Sequence, residues 1–379
     1  MISKKRLLEE FITLADFDSE SFYERDIAAY LFDKLQYLGL EVVMDNAGHL
    51  LMENRKAAGN IYGLLRGTGK GDPVLFSAHM DTVAPGKRKN VVVHSDGRIS
   101  SDKTTVLGAD DISGIVAILE TLTVIKEKKL PHPDIEVVFF VAEEPYCRGS
   151  SLFDFSKIRS KMAYVLDLDG KVGRIANSAP TFLQFRAEIK GKSAHAGFQP
   201  EEGISAITVA ALAISRMKLG RIDDSSTANI GTINGGTGKN IVPGYAVVEG
   251  EVRSMDDDKA IEMVSEITMK FEQAAKELGA SVEVHVDEML KSYYVREDSP
   301  VIKRYARALE ELHYGYPTVV STFGGSDNNT FHAHGIEGIV ISNAMNQVHT
   351  VNEYFYMDEL VKSTEIVLKL ATMAAGGSR

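Results

Sequence analysis

The chain has a single cysteine, Cys147, among 379 residues. That excludes an internal disulfide and any zinc site built from a cysteine cluster, and it fits a reducing compartment. There is no basic run, no basic-aromatic stripe and no apolar segment of membrane-spanning length. With a net charge of -11 and a pI of about 5.5, general binding to nucleic acid or to an anionic membrane surface is not expected. Lys4, Lys5 and Arg6 are followed at once by Glu9 and Glu10, where a signal peptide needs an apolar stretch, so a cytoplasmic location is expected. Any metal site must therefore draw on histidine, aspartate and glutamate.

The hydrophobic share of 44% is that of a soluble globular protein, and the length predicts two or three domains rather than one core. Apolar residues at helical spacing predict amphipathic helices from Lys4 to Phe17 and from about Ser21 to Leu38. Strands are expected at Glu41 to Met44, His49 to Asn54 and Asn60 to Leu65, separated by Asn-Ala-Gly and Ala-Ala-Gly turns. Gly67-Thr68-Gly69-Lys70-Gly71 has a glycine-rich look but not the spacing of a phosphate loop, and an exposed turn explains it better.

The buried-looking run Pro73-Val74-Leu75-Phe76 then opens into Ser77-Ala78-His79-Met80-Asp81-Thr82-Val83. His79 could offer one imidazole nitrogen to a cation while Asp81 accepts a hydrogen bond from the other. A polar pair closing a loop would read the same way. The pattern recurs, however. Asp110 and Asp111 lead into the apolar helix Ile115 to Glu120, the β-prone run Asp134 to Val141 ends in Glu143 and Glu144, and the strand Lys161 to Leu166 ends in Asp167. One acid at a helix start is an ordinary cap. Four strand or loop ends bearing acids, converging on one edge of a parallel sheet with an imidazole, require a compensating charge, and divalent metal is the economical supply.

From about Ala179 the pattern changes to strand-helix-strand-strand-helix-strand, the order of a ferredoxin-like α+β insert. It contains Lys192-Ser193-Ala194-His195-Ala196-Gly197 and the glycine stretch Gly235 to Pro243 around Asn240. After Ser292 the chain returns to α/β character: helix Val301 to His313, strand Thr318 to Ser321, the loop Phe323-Gly324-Gly325-Ser326-Asp327, strand Gly338 to Ile341, then Gln347-Val348-His349-Thr350 and a closing helix from about Met357.

Five motifs in order, Ser-Ala-His-Met-Asp-Thr-Val, Gly-Ala-Asp-Asp-Ile-Ser-Gly, Ala-Glu-Glu, Val-Leu-Asp and Val-His-Thr-Val-Asn-Glu, make nearly the whole chain resemble the peptidase T-like branch of the di-zinc exopeptidases. The resemblance implies an α/β zinc-exopeptidase catalytic domain with a mixed, mainly parallel sheet, residues 1–178 and 293–379. A ferredoxin-like lid, residues 179–292, would interrupt it and pair two subunits as a homodimer. It makes His79 and Asp167 ligands of one zinc ion, Glu144 and His349 ligands of the other, Asp110 the bridge and Glu143 the general base, with Asp81 orienting His79. His195 would be an oxyanion donor, and Asn240 and Arg253 substrate contacts, Arg253 as a fork for a peptide carboxylate, though Glu-Val-Arg-Ser also reads as a salt-bridged edge strand. Gly325 and Ser326 would line the substrate site. Cobalt or manganese could replace zinc in such a donor set.

Amide hydrolysis needs an activated water, a polarised carbonyl and a proton for the departing amine. Two cations sharing Asp110 could supply the first two, and Glu143 could carry the proton. The expected activity is release of N-terminal residues from short peptides, as in a tripeptide aminopeptidase. Two departures bear on it. Phe323 and Ser326 stand where peptidase T has arginine before a Gly-Gly-Thr-Asp loop, and Pro145-Tyr146-Cys147-Arg148-Gly149 follows Ala-Glu-Glu. A deacylase or carboxypeptidase acting on N-acyl amino acids or C-terminal residues is the alternative on the same machinery. A catalytically silent metal-dependent binding protein is a third, opposed by the presence of Glu143. Cys147 is read as a small filler, and His332 and His334 as structural.

Overall fold

The structure is a computed structural model that describes residues 2–51 and 57–373. The chain forms two compact units: Met1–Ser178 with Tyr294–Arg379, and Ala179–Tyr293.

The sheet of the first unit is built around four parallel strands in the order Ile135–Phe140, Val74–His79, Met162–Leu168, Glu337–Ser342. Ile61–Leu65 and Glu41–Met44 extend it antiparallel at one side, and Arg174–Ala179 continues it antiparallel beyond Glu337–Ser342, with Thr318–Ser321 parallel to it. Val74–His79 and Ile135–Phe140 are buried along their whole length, as parallel strands covered on both faces must be. On one face Leu75, Val138, Phe140, Ala163 and Val165 pack against Phe153, Phe155 and Phe331. The helix Ala109–Lys128 packs on Val74–His79 and Met162–Leu168, and the helices Lys4–Ala15 and Met357–Thr372 pack on it in turn.

Because the four central strands run the same way, their carboxyl ends lie along one edge. His79, the segment after Phe140, Asp167 and the segment after Ser342 all meet there. Placement of the strands is thus what delivers the acids to one place.

The predicted strand at His49 to Asn54 is not formed where it can be seen. Ala47–Leu50 is one helical turn, whose start is fastened by Asp45 accepting the Ala47 N–H at 2.9 Å, and residues 52–56 lie outside the described residues. The second helix begins at Arg25, later than its apolar spacing suggests, because Phe22 takes a left-handed φ of 71° and Glu24 turns its carboxylate back onto the Phe22 N–H.

In the second unit Thr181–Lys190, Ala206–Ser215, Ser226–Gly235, Tyr245–Ser254, Asp257–Leu278 and Ser281–Leu290 follow one another as strand, helix, strand, strand, helix, strand. The antiparallel sheet runs Ser226–Gly235, Tyr245–Ser254, Thr181–Lys190, Ser281–Leu290, the ferredoxin-like order, with Gly220–Asp223 added at the first edge. Thr181–Lys190 alternates, and its inward Leu183, Phe185, Ala187 and Ile189 meet Val209, Ala213, Ile267 and Phe271 of the two helices.

The turn after Ile135–Phe140 is held from behind by the buried Asn60, whose Oδ1 accepts the Val141 N–H at 3.1 Å and whose Nδ2 donates to the Gly149 carbonyl at 2.9 Å. A Cβ at Gly149 would lie 1.9 Å from the Val141 oxygen and 2.8 Å from Asn60 Oδ1. Gly149 has an ordinary φ of -67°, so the requirement is space rather than backbone freedom. Gly149→Ala is expected to lower unfolding free energy by roughly 1–3 kcal/mol, read from the denaturant midpoint; an unchanged midpoint would show that the turn yields.

Candidate metal centre

His79 is the last residue of its strand and is 2% exposed. Its Nε2 lies 3.0 Å from Asp110 Oδ1 and 3.9 Å from Asp167 Oδ1, and its Nδ1 is 3.0 Å from the Asp81 carbonyl and 3.4 Å from the Asp81 carboxylate. On the opposite side His349 Nε2 lies 3.1 Å from Asp110 Oδ2 and 3.0 Å from Glu144 Oε2. Asp110 therefore turns one oxygen to each histidine. It can do so because the helix Ala109–Lys128 is irregular at its start: Asp110 has φ -80° and ψ 102°, outside helical geometry.

Asp81 holds the glutamates as well as standing beside His79. Its Oδ1 accepts the Glu143 N–H at 2.9 Å, and its Oδ2 accepts the Glu144 N–H at 3.2 Å and the Ser21 hydroxyl at 2.8 Å. The two loops that carry Glu144 and His349 contain non-glycine residues with left-handed backbone, Ala142, Tyr146 and Cys147 in one and Ala344, Gln347 and His349 in the other. Each such residue costs on the order of 1 kcal/mol or more. Backbone strain is thus gathered at the two loops that carry Glu144 and His349.

The charges do not balance as they stand. Burial pushes the carboxyls of Asp167, Glu143 and Glu144 above the usual range, with neighbouring carboxylates acting in the same sense. Burial also opposes ionisation of Asp110, but hydrogen bonds from His349 and His79 outweigh it and hold that carboxyl low. His79 is pulled down by burial and raised further by Asp110 and Asp81, so it ends well above its ordinary value. His349 is raised to about 11 by its hydrogen bonds to Asp110 and Glu144. Two imidazoles are too few for this many buried acids.

The donor set fits two divalent ions. Ligand atoms about 2.0–2.1 Å from a tetrahedral zinc lie roughly 3.3 Å from one another, and the nitrogen–oxygen separations here run from 3.0 to 3.9 Å. Among the described residues Glu144 Oε1 is buried with no hydrogen-bond partner, as suits an oxygen able to take a cation. Asp111 also comes within 4.8 Å of His79 and Asp167. Its oxygens are already engaged, Oδ2 by the His79 N–H at 3.3 Å and Oδ1 by Asn343 Nδ2 at 2.6 Å, so it braces the end of the His79 strand from behind.

The surroundings of several further residues bear on the site. Ser326 is 3% exposed and its hydroxyl caps the helix Asp327–Ala333 by accepting the Asn328 N–H, so that oxygen is committed to the helix while Gly325 stays partly exposed beside it. Cys147 is buried, and its thiol donates to Glu143 Oε1 at 3.3 Å. His332 Nε2 lies 3.0 Å from the Gly338 carbonyl, and the ring of His334 stacks on Phe155 with centroids 4.0 Å apart, both packing roles. Glu24 and Glu353 had no assigned task. Glu24, fully buried, accepts the Ala142 N–H at 3.0 Å, and Glu353 accepts three N–H groups ahead of and at Asp110. Only Glu353 had a possible signal, since it closes the Val-His-Thr-Val-Asn-Glu motif.

Within the second unit Ala194–His195 pairs with Ile241–Val242, and the Ala196 N–H donates to the Asn240 carbonyl at 2.9 Å, so His195 and Asn240 share one exposed end of that unit. His195 Nδ1 accepts from the Gly197 and Phe198 N–H groups at 3.1 and 3.2 Å. In the neutral ring that places the proton on Nε2. Arg253 lies on Tyr245–Ser254, an interior strand rather than an edge, and its guanidinium pairs with Glu251 at 2.8 Å and stacks on Phe182 at 4.1 Å from the ring centroid.

A doubly covered, mainly parallel sheet with two histidines and a shared aspartate at its carboxyl edge defines a di-metal hydrolase centre. Comparison with known proteins narrows the class. Residues 60–198 match the family described as Peptidase family M28, and residues 178–279 match the Peptidase dimerisation domain of M20 peptidases. The chain is 40% identical over 380 residues to the Uncharacterized protein YqjE of Bacillus subtilis, covering 99% of this chain and 100% of that one. Among solved structures it is similar to aminopeptidase PepT from Bacillus cereus, at 39% identity and TM-score 0.87, and to a tripeptidase from Staphylococcus aureus, at 35% identity and TM-score 0.92, each covering 98% of both chains. The inserted unit matching the dimerisation domain decides between the two families. The chain belongs to the peptidase T-like M20 metallopeptidases.

Proposed function

We propose that the protein is a di-zinc tripeptide aminopeptidase in which His79 and Asp167 hold one ion, Glu144 and His349 the other, and Asp110 both. The observation that carries the reading is Asp110 presenting one oxygen to each histidine at 3.0 and 3.1 Å. Bound there, the ions would supply Lewis acidity to the scissile carbonyl and lower the pKa of attacking water.

The rest falls to the chain. Glu143 is 8% exposed and its backbone is pinned by Asp81. As general base it takes a proton from the attacking water and returns it to the departing amine. Burial keeps its basicity above that of an exposed carboxylate, which suits proton transfer near neutrality. His195, with Nε2–H turned outward by the two N–H groups on Nδ1, donates to the oxygen of the tetrahedral intermediate. Asn240, Arg253 and Gly325 contact the substrate, Arg253 doing so with Glu251 and Phe182 steadying its fork. Ser326 lines the substrate site beside Gly325, its hydroxyl capping the helix behind the loop while its O–H stays able to donate.

Zinc is the metal we assign, with cobalt and manganese able to substitute at a nitrogen–oxygen donor set. The dimerisation-domain match supports a pairing of two chains through residues 179–292 as a homodimer, and we assign residues 1–178 with 293–379 as the catalytic domain, in keeping with the two compact units. Among the described residues no helix is long and apolar enough to cross a membrane. A single, buried cysteine suits the cytoplasm we assign.

The relatives' names favour tripeptides, while Phe323 and Ser326 depart from the peptidase T loop. A panel of free tripeptides, N-blocked peptides and N-acyl amino acids, run on zinc-reconstituted protein, decides. Free tripeptides are expected to be cleaved at the first bond with kcat/KM at least about tenfold above any blocked substrate, a difference of about 1.4 kcal/mol. Turnover of blocked substrates alone would transfer the chain to the deacylases or carboxypeptidases.

A further inference from the structure

Glu353 is a buried carboxylate that the catalytic scheme leaves unused. It is 1% exposed, and both oxygens point into the loop ahead of the shared ligand. Oε2 accepts the Leu107 and Gly108 N–H groups at 2.8 Å each, and Oε1 accepts the Asp110 N–H at 2.9 Å. Gly108 makes the convergence possible: its φ of +76° turns the chain there, and Ile112 and Lys89 crowd the place a Cβ would occupy. A carboxyl whose two oxygens are shared among three N–H donors is a directional clamp.

The far end of the clamp is equally fixed. Glu353 lies four residues beyond His349 and donates its own N–H to the Thr350 carbonyl at 3.1 Å. It is followed at once by the strand Tyr354–Tyr356, which pairs with Arg98–Ser101. The Ser101 hydroxyl donates to the Thr105 carbonyl at 2.7 Å and reaches the Val351 carbonyl at 3.3 Å. The segment that carries Asp110 and the segment that carries His349 are thus fastened together by the sheet, by Ser101 and by Glu353. Only Glu353 reaches the backbone of Asp110 itself.

We propose that Glu353 is a positioning residue for both metal sites: by holding the Asp110 backbone, its carboxylate sets the side chain so that one oxygen meets His79 and the other His349. This rests on Asp110 being the shared ligand. Loss of the clamp therefore loosens both ions together, whereas loss of a ligand to one ion acts mainly on that ion.

The test uses the full chain as Glu353→Gln, stripped of metal and titrated with zinc by calorimetry beside wild type and His349→Ala. The amide keeps the size of the side chain, but its NH2 end cannot accept, so at least one of the three N–H groups loses its acceptor. Affinity for both ions is expected to fall by about 10–100-fold, with kcat reduced and KM little changed, while His349→Ala weakens one ion. A Glu353→Gln protein that binds both ions as wild type does, or that loses only thermal stability, overturns the proposal. A second measurement needs no variant. In metal-free wild type, the Leu107, Gly108 and Asp110 amides are expected to exchange with solvent as slowly as those of the central strands; exchange at the rate of exposed loops overturns it. Metal affinity and amide exchange are read without any peptide substrate, so the outcome is separate from that of the substrate panel.

Discussion

Glu143→Gln is expected to keep two metal ions per chain and to lose about 10²–10⁴-fold in kcat on a tripeptide. The reasons lie in where Glu143 stands. The contacts at 3.0 to 3.1 Å that link histidine to carboxylate involve Asp110 and Glu144, not Glu143. The Glu143 backbone is fixed by Asp81, and its Oε1 takes the Cys147 thiol, so exchanging one carboxylate oxygen for an amide disturbs little of the frame. What the amide cannot do is accept and return a proton. Metal content by elemental analysis and kcat by single-substrate assay check the two halves separately. Full turnover in the variant would remove Glu143 as base, and loss of metal with turnover would make it a ligand.

The parts of the fold that could be read from sequence are those with a local cause. Apolar runs such as Val74 to Phe76 and Ile135 to Phe140 are strands because they are buried on both faces, and acids at their carboxyl ends gather because the strands are parallel. The strand-helix alternation of residues 181–290 likewise gives its sheet order without reference to anything distant. What could not be read depends on partners far along the chain. Glu24 reaches Ala142 across 118 positions, and Glu353 reaches Asp110 across 243. Neither leaves a period or a spacing in the sequence. Local polar chemistry misled at one point: Asp45 winds Ala47–Leu50 into a helical turn, overlapping the start of the strand expected from His49.

Strain explains a further part of the site that sequence does not show. The turn that presents Glu143 and Glu144 uses left-handed backbone at Ala142, Tyr146 and Cys147, and that of His349 uses it at Ala344, Gln347 and His349 itself. These costs are borne because packing and hydrogen bonds over-determine the loops: Asn60 and Glu24 hold one from behind, Glu353 and the Tyr354–Tyr356 strand the other. The glycine at 149 belongs to the same bracing, which is why a methyl group there should be felt at Glu143 and Glu144 as well as in stability.

The largest effect is expected from Asp110→Asn. The side chain keeps its volume and its place behind the Glu353 clamp, but it can no longer put a negative oxygen toward each histidine. In the present geometry Asp110 is the one carboxylate held low by both imidazoles, while Asp167 and Glu144 are pushed up by burial and by one another. Without the shared charge each ion would keep one histidine and one carboxylate, too few to hold it. Both ions are therefore expected to be lost together, to below one per chain after gel filtration, and kcat to fall by roughly 10³-fold or more, the several kcal/mol that metal polarisation contributes taken at 1.36 kcal/mol per decade. His349→Ala supplies the contrast, since it should release one ion and leave His79 and Asp167 occupied. An Asp110→Asn protein that releases only one ion would show that the aspartate serves a single site, and one that retains both would remove it from the ligand set altogether.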